Sequence, residues 1–139
     1  MANSSNLYRG GCLCGALRYE AQGEPDMAGH CYCGDCRKAS GSGFIPFVNF
    51  ASAALTITGP SRPYVSLSAR GTDSTRNYCA TCGSLVFGGE RDLSDSFTIY
   101  AGTLDNPAAF RPQMAIFTVG RPDWAQIPEG LTIFERLPE

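Results

Sequence analysis

Hydrophobic and polar residues alternate along several short stretches of the chain, and these stretches predict β-strands. Successive side chains of an extended strand point to opposite faces, so a period of two indicates a strand with one buried face. The stretches are Leu17, Tyr19 and Ala21; Leu55 to Thr58; Val65, Leu67 and Ala69; Phe97, Ile99 and Ala101; Met114, Ile116 and, less regularly, Val119; and Leu131 to Phe134. Frequent Gly and Pro between them are typical of turns that join many strands.

Helical periodicity is weak, and only one short helix is predicted, from about Asp35 to Ser40. Gly41 follows it directly, and a glycine in this place can adopt the left-handed conformation that ends many helices. Asp35 is interpreted as the residue that caps the start of the helix, with a role as general base as the alternative. The predicted fold class is therefore mainly β, with short antiparallel strands and one short helix.

Composition limits the classes of protein to which the chain can belong. The 139 residues, 43% of them hydrophobic, suffice for one globular domain, which we expect over residues 8–139 after a tail over residues 1–7. A net charge of -2 argues against binding to nucleic acid, which needs a basic face. Neither a signal peptide nor an apolar stretch long enough to span a bilayer is apparent. We therefore expect a cytoplasmic protein without nucleic-acid or membrane partners.

Seven cysteines form three close groups, and these groups are the strongest chemical signal in the sequence. The groups are Cys12 and Cys14; Cys31, Cys33 and Cys36; and Cys79 and Cys82. Cysteines in this pattern indicate metal binding in a reducing compartment, and an odd number argues against a framework built only of disulfides. Four thiolates close a tetrahedral zinc site, whereas three leave a position open for water or a substrate. Division into four and three predicts one structural zinc and one catalytic zinc.

The two pairs are predicted to form the structural zinc site. Cys12 and Cys14 are two positions apart, so both side chains point to one face of extended backbone. Cys79 and Cys82 are separated by two residues and followed by Gly83, a pattern that allows a tight turn around a metal ion. The alternative is that one pair is merely buried or acts as a redox dithiol, although the βαβ context of a thioredoxin-like motif is missing.

The remaining three cysteines, Cys31, Cys33 and Cys36, are predicted to hold the catalytic zinc. Cys33 and Cys36 flank the start of the predicted helix, where free backbone N–H groups favour thiolate over thiol. The alternative is a second structural zinc that His30 or Asp35 completes. His30 is the only histidine, and we expect it to pack or to form a hydrogen bond rather than to bind metal.

With these motifs the chain resembles the family of glutathione-dependent formaldehyde-activating enzymes and centromere protein V. The matching segments are Gly11 to Tyr19, Cys31 to Gly41, Tyr78 to Ser84 and Pro122 to Phe134. The resemblance implies a zinc-bearing β-tent fold, like that of a Rab-exchange-factor zinc protein. It also assigns a structural zinc to Cys12, Cys14, Cys79 and Cys82 and a catalytic zinc to Cys31, Cys33 and Cys36. Tyr32 occupies a position where many members of the family have His.

The resemblance further implies the activity of a zinc-dependent carbon–sulfur lyase or synthase. Its substrates would be a small thiol, such as glutathione, and an aldehyde such as formaldehyde, and no cofactor other than zinc is expected. A substrate carboxylate suits the fork of an arginine side chain, for which the candidates are Arg37, Arg70, Arg76 and Arg111. The alternative is a non-catalytic, zinc-stabilised binding module on the same fold, which predicts a fourth protein ligand at the three-cysteine group.

Overall fold

The structure is a computed structural model that describes residues 7–68 and 70–138. These residues form eleven β-strands and one α-helix, joined by turns and short 3₁₀ segments. The elements are β1 (Leu7–Gly11), β2 (Arg18–Gln22), β3 (Met27–Cys31), α1 (Gly34–Ser40), β4 (Ile45–Ala51), β5 (Leu55–Thr58), β6 (Ser61–Leu67), β7 (Asp73–Cys79), β8 (Leu85–Gly88), β9 (Ser96–Tyr100), β10 (Met114–Ile116) and β11 (Thr132–Ile133). Of the tail expected over residues 1–7, only Leu7 is described, so the domain boundaries stay predictions.

The strands form two sheets. The small sheet has three antiparallel strands in the order β1-β2-β5, and the large sheet has eight in the order β11-β10-β3-β4-β9-β8-β7-β6. Within the large sheet, β10 is parallel to both β3 and β11. The predicted mainly β fold with one short helix is confirmed, but the large sheet is mixed rather than purely antiparallel. A long connection, unlike a tight hairpin, returns β10 to β3 in the same direction.

The main hydrophobic core lies where the two sheets pack against each other. Alternate residues of β2, β4 and β9 are buried in it, namely Tyr19 and Ala21, Val48 and Phe50, and Phe97 and Ile99. The period-two predictions for β2 and β9 are therefore confirmed. The opposite faces of β4 and β9 do not enter this core and are available to form a second surface.

Three of the predicted patterns depart from a strand with one buried face. Strand β6 forms, but the Val65 and Leu67 side chains are 51% and 69% exposed. Strand β6 lies at one edge of the large sheet and pairs only with β7. Ala69, the third residue of that pattern, lies outside the described residues. Val119 is 61% exposed in a 3₁₀ segment after β10, and β11 comprises only Thr132–Ile133.

Helix α1 lies where it was predicted and ends as predicted. Gly41 has a φ of 69° and its N–H group donates to the carbonyl oxygen of Arg37. The cap at the start is different, because the Cys33 sulfur accepts a hydrogen bond from the Cys36 N–H group at 3.2 Å. Asp35 lies in the first turn, two residues after the cap position. The prediction that Asp35 caps the helix is wrong.

Helix α1 is only seven residues long. A helix needs roughly 20 apolar residues to cross a bilayer. Within residues 7–68 and 70–138, no helix combines the length and apolar character that crossing a membrane requires.

Candidate metal centres and the adjoining cavity

The four cysteines of the two pairs converge in the folded chain. The sulfur atoms of Cys12, Cys14, Cys79 and Cys82 all lie within 4.8 Å of one another. The Cys12 and Cys14 sulfurs are 3.6 Å apart, and those of Cys14 and Cys79 are 3.8 Å apart. A tetrahedral zinc with Zn–S bonds of about 2.3 Å gives sulfur–sulfur distances of about 3.8 Å, whereas a disulfide bond is about 2.0 Å long. This four-cysteine cluster therefore has the spacing of a tetrahedral metal site.

Backbone N–H groups surround the sulfurs of the four-cysteine cluster. The Leu17 N–H group donates to the Cys12 sulfur at 3.2 Å. On the other side of the cluster, the N–H groups of Thr81 and Cys82 donate to the Cys79 sulfur at 3.3 and 3.4 Å. Such hydrogen bonds favour thiolate over thiol. The cluster connects the turn between β1 and β2 with the turn between β7 and β8, so it ties the small sheet to the large one.

The other three cysteines form a second cluster at the start of α1. The sulfurs of Cys31, Cys33 and Cys36 lie within 4.8 Å of one another, and among the described residues no imidazole or carboxylate joins them. Cys31 ends β3, Cys33 caps α1, and Cys36 lies in its first turn. Three thiols without a fourth side chain fit a metal centre that keeps one position open. Neither His30 nor Asp35 completes this three-cysteine cluster, so the described residues do not favour a closed second site.

The His30 ring packs away from the three-cysteine cluster. It stacks on Phe44 with ring centroids 4.2 Å apart, and burial lowers its pKa. Its Nδ1 atom is 3.3 Å from the Tyr32 hydroxyl, which donates to the carbonyl oxygen of Gln126 at 2.8 Å. The packing expected of His30 is observed. Tyr32 is buried in the same region, so its side chain fills the protein interior instead of lining the space beside the three cysteines.

The pKa values of the three thiols shift in different directions because the sulfurs interact with one another. Hydrogen bonds from Cys31 and then Cys36 lower the pKa of the Cys33 thiol to about 2. Hydrogen bonds with Cys33 and Cys36, together with burial, raise the pKa of Cys31 far above its usual range. The Cys31 contact lowers the pKa of Cys36, but Cys33 and burial outweigh it and raise that pKa to about 11. One thiolate forms readily, and a divalent metal would supply the positive charge needed to ionise the other two.

A cavity of about 720 Å³ adjoins the three-cysteine cluster, a size typical of small-molecule sites. Its floor is the face of the large sheet that is turned away from the main core. One row of paired residues crosses this floor from β4 to β7, in the order Asn49, Thr98, Gly88 and Arg76. Apolar side chains form another part of the wall, including Ile45, Phe47, Ile116 and Phe117. The cavity gives a ligand access to the three sulfurs.

Arg76 is a basic residue whose side chain contacts this cluster. Its Nη2 atom is 3.8 Å from the Cys36 sulfur, and its Nε atom is buried without a hydrogen-bond partner. Of the four arginines considered from the sequence, Arg70 also lines the cavity, whereas Arg37 and Arg111 are not among its lining residues. The fold therefore singles out Arg76, which sequence spacing could not distinguish from the others.

Tyr100 and Asn49 are cavity residues that the sequence reasoning missed. Both line the cavity, and the amide oxygen of Asn49 is buried without a hydrogen-bond partner. A signal for Tyr100 was present, because the period-two pattern that turns Phe97 and Ile99 to the core turns Tyr100 to the opposite face. Recognising that this face lines a site required the position of β9 in the large sheet.

These features define a mainly β protein with two candidate metal centres, one closed by four sulfurs and one open to a cavity. The sequence model of a family described as glutathione-dependent formaldehyde-activating enzyme matches residues 7–120. This segment covers most of the chain and contains all seven cysteines, so the protein belongs to that family.

The fold is also similar to that of a solved structure. A Rhodobacter sphaeroides protein known from its crystal structure superimposes with a TM-score of 0.51 and is 20% identical in sequence. The similarity covers 72% of this chain and 92% of the Rhodobacter chain. At this identity the likeness concerns the fold alone. No curated protein matches the sequence.

Proposed function

We propose that the protein is a zinc-dependent carbon–sulfur lyase or synthase that forms or cleaves a thiol–aldehyde adduct such as S-hydroxymethylglutathione. One observation carries the proposal: three converging thiols, with no fourth side chain among the described residues, lie in the wall of a 720 Å³ cavity. Membership of the family supports the choice of reaction.

In this proposal Cys31, Cys33 and Cys36 hold the catalytic zinc, and the four-cysteine cluster holds the structural zinc. The donor set suits the metal, because thiolates are among the ligands that zinc prefers. A zinc with an open position lowers the pKa of a bound thiol, so that thiolate is available near neutral pH. The chain itself contributes the geometry, since β3 and the start of α1 place the three sulfurs at one end of the cavity.

The reaction joins the substrate thiol to the aldehyde carbon without oxidation or reduction. The sulfur electron pair forms the carbon–sulfur bond, the carbonyl π pair moves to oxygen, and that oxygen takes a proton in place of the one lost by the thiol. The reverse reaction breaks the same bond and restores thiol and aldehyde. Ile45, Phe47 and Ile116 form an apolar part of the cavity wall beside the three sulfurs.

The test is a rate measurement on the full chain with its zinc content determined. We expect zinc-loaded protein to accelerate the exchange between glutathione, formaldehyde and their adduct, followed by NMR, above the spontaneous rate. Cys33→Ser should abolish the acceleration. Protein that holds both zinc ions but binds no thiol, and accelerates adduct formation with neither glutathione nor a short mercapto acid, would contradict the proposal and favour the binding-module alternative.

A further inference from the structure

Arg76 is a half-buried cation with no carboxylate partner in the described part of the chain. Asp35, Asp73 and Glu90 also line the cavity, but none of them makes an ion pair with Arg76. Its polar contact is with the Cys36 sulfur, at 3.8 Å, and its Nε atom has no partner. A charge withdrawn from water is unfavourable unless an opposite charge or hydrogen bonds compensate it. The guanidinium is therefore available to bind an anion that enters the cavity.

A second hydrogen-bond donor lies beside Arg76. Arg76 is directly opposite Gly88 in the ladder between β7 and β8. A Cβ atom at Gly88 would lie 2.9 Å from the Tyr100 hydroxyl oxygen, so the missing side chain leaves the space that this hydroxyl occupies. Burial, as the largest cause, raises the pKa of Tyr100 and keeps the phenol protonated. A guanidinium and a neutral hydroxyl therefore face the same part of the cavity, which is the donor set that a carboxylate needs.

We propose that Arg76, assisted by Tyr100, binds a carboxylate of the thiol substrate, and that this substrate is a short mercapto acid. The inference rests on the proposed function, in which the substrate sulfur binds at the three-cysteine cluster. The guanidinium contacts a sulfur of that cluster. A carboxylate bound to the guanidinium therefore lies close to the substrate sulfur, so only a few bonds can separate the two groups in the substrate. In glutathione the groups that close to the sulfur are amides, and both carboxylates are at the ends of the molecule. A compact acid such as 3-mercaptopropionate fits the arrangement better.

A simpler role for Arg76 would be to offset the negative charge of three thiolates. That role makes Arg76 important for metal retention, whichever thiol enters the cavity. Carboxylate binding makes Arg76 important only for thiols that carry an acid group. The two roles are therefore separated by comparing a thiol acid with its neutral counterpart on the same metal-loaded protein.

The experiment uses the full chain loaded with Co²⁺, whose absorption bands change when a thiol binds at the open position. Wild-type protein should bind 3-mercaptopropionate about tenfold or more tightly than 3-mercapto-1-propanol, because hydrogen bonds to a charged group are strong. Arg76→Gln should remove this preference while the binding of the alcohol changes by less than about twofold. Arg76→Lys should restore part of the preference, since it keeps the charge without the fork. Tyr100→Phe should reduce the preference by a smaller factor.

The charge-matched control is Arg62→Gln. Arg62 is exposed on β6 and does not line the cavity, so the preference for the acid should be unchanged. A length series then tests the position of the carboxylate. We expect 3-mercaptopropionate to bind more tightly than 6-mercaptohexanoate and than glutathione. Arg76→Gln should reduce the differences in affinity among these three thiols.

The possible failures are distinguishable. Equal binding of the acid and the alcohol by wild-type protein would overturn the carboxylate site and leave the proposed function standing. Loss of metal from Arg76→Gln, with equal weakening for both thiols, would likewise overturn it and assign Arg76 to the metal centre. If no thiol alters the Co²⁺ bands, both this inference and the proposed function are wrong.

Discussion

The two cysteine clusters use the same ligand atom and differ in what surrounds it. Cys14 and Cys82 of the four-cysteine cluster are exposed, whereas Cys31 and Cys36 of the three-cysteine cluster are buried. Exposure alone would make the four-cysteine cluster the more accessible one. Its four sulfurs nevertheless leave a tetrahedral metal no free position, whereas the buried set of three does. In the proposed function, the number of sulfur ligands and the adjoining cavity therefore decide which centre binds the substrate.

The groups that offset negative charge also differ. Backbone N–H groups of Leu17, Thr81 and Cys82 donate to sulfurs of the four-cysteine cluster. At the three-cysteine cluster a backbone N–H group donates to Cys33, and the side chain of Arg76 contacts Cys36. Backbone donors in tight turns are fixed by the fold and serve only the sulfurs. A guanidinium has several N–H groups in a planar fork, so it can contact a sulfur and an incoming anion at once.

The largest expected effect is on folding, at the four-cysteine cluster. Cys79→Ser removes a buried thiol from the cluster that joins the two sheets. Structural zinc contributes an apparent free energy of about 10 kcal/mol or more, which is comparable to the whole stability of a domain. We expect the variant to be unfolded or to lose cooperative thermal unfolding, as measured by circular dichroism. A folded variant with normal thermal unfolding would show that this cluster is not structural.

The matched substitution in the other cluster should separate chemistry from folding. Cys33→Ser should lose one zinc per chain and the proposed activity but keep most of the fold, because serine can still cap α1. Metal analysis and circular dichroism on the same sample measure both effects. If Cys33→Ser and Cys79→Ser destabilise the protein equally, the comparison between an open and a closed centre breaks down, and both clusters are structural.

Metal removal should occur in two kinetic phases. A chelator can attack a zinc that has an open position directly, whereas a four-sulfur site must first lose a ligand. We expect the three-cysteine cluster to release its metal at least about tenfold faster, followed by the absorbance of a zinc-binding dye. Cys33→Ser should lack the fast phase. A single phase in wild-type protein would mean that the two sites are equally closed.

The features of the fold that could be predicted from the sequence are those that depend on residues close together in the chain. Alternation in β9 and the glycine at the end of α1 depend on neighbouring residues, and the structure agrees with both. The exposure of Val65 and the parallel pairing of β10 depend on which strands become neighbours in the sheet, and a local pattern contains no such information.

The same distinction applies to the candidate site. Cys31, Cys33 and Cys36 are close in the chain, so their convergence could be predicted from spacing. The choice of Arg76 could not, because it depends on the position of β7 beside β8 and on the start of α1 lying over the same face of the sheet. Tyr100 is an intermediate case. Strand alternation indicates that it lies on the face of β9 opposite Phe97 and Ile99, but it does not indicate that this face lines a cavity.

The smallest expected effect concerns the cavity beside the three-cysteine cluster. Gly88→Ala places a methyl group 2.9 Å from the Tyr100 hydroxyl oxygen, and overpacking of this kind destabilises proteins by about 1–3 kcal/mol. Urea unfolding should show this loss, with both metal ions retained, because Gly88 lies in neither cluster. Tyr100→Phe in the same chain removes the crowded oxygen and should restore most of the stability. If the double variant is no more stable than Gly88→Ala, the glycine serves the backbone of β8 and not the placement of the Tyr100 hydroxyl.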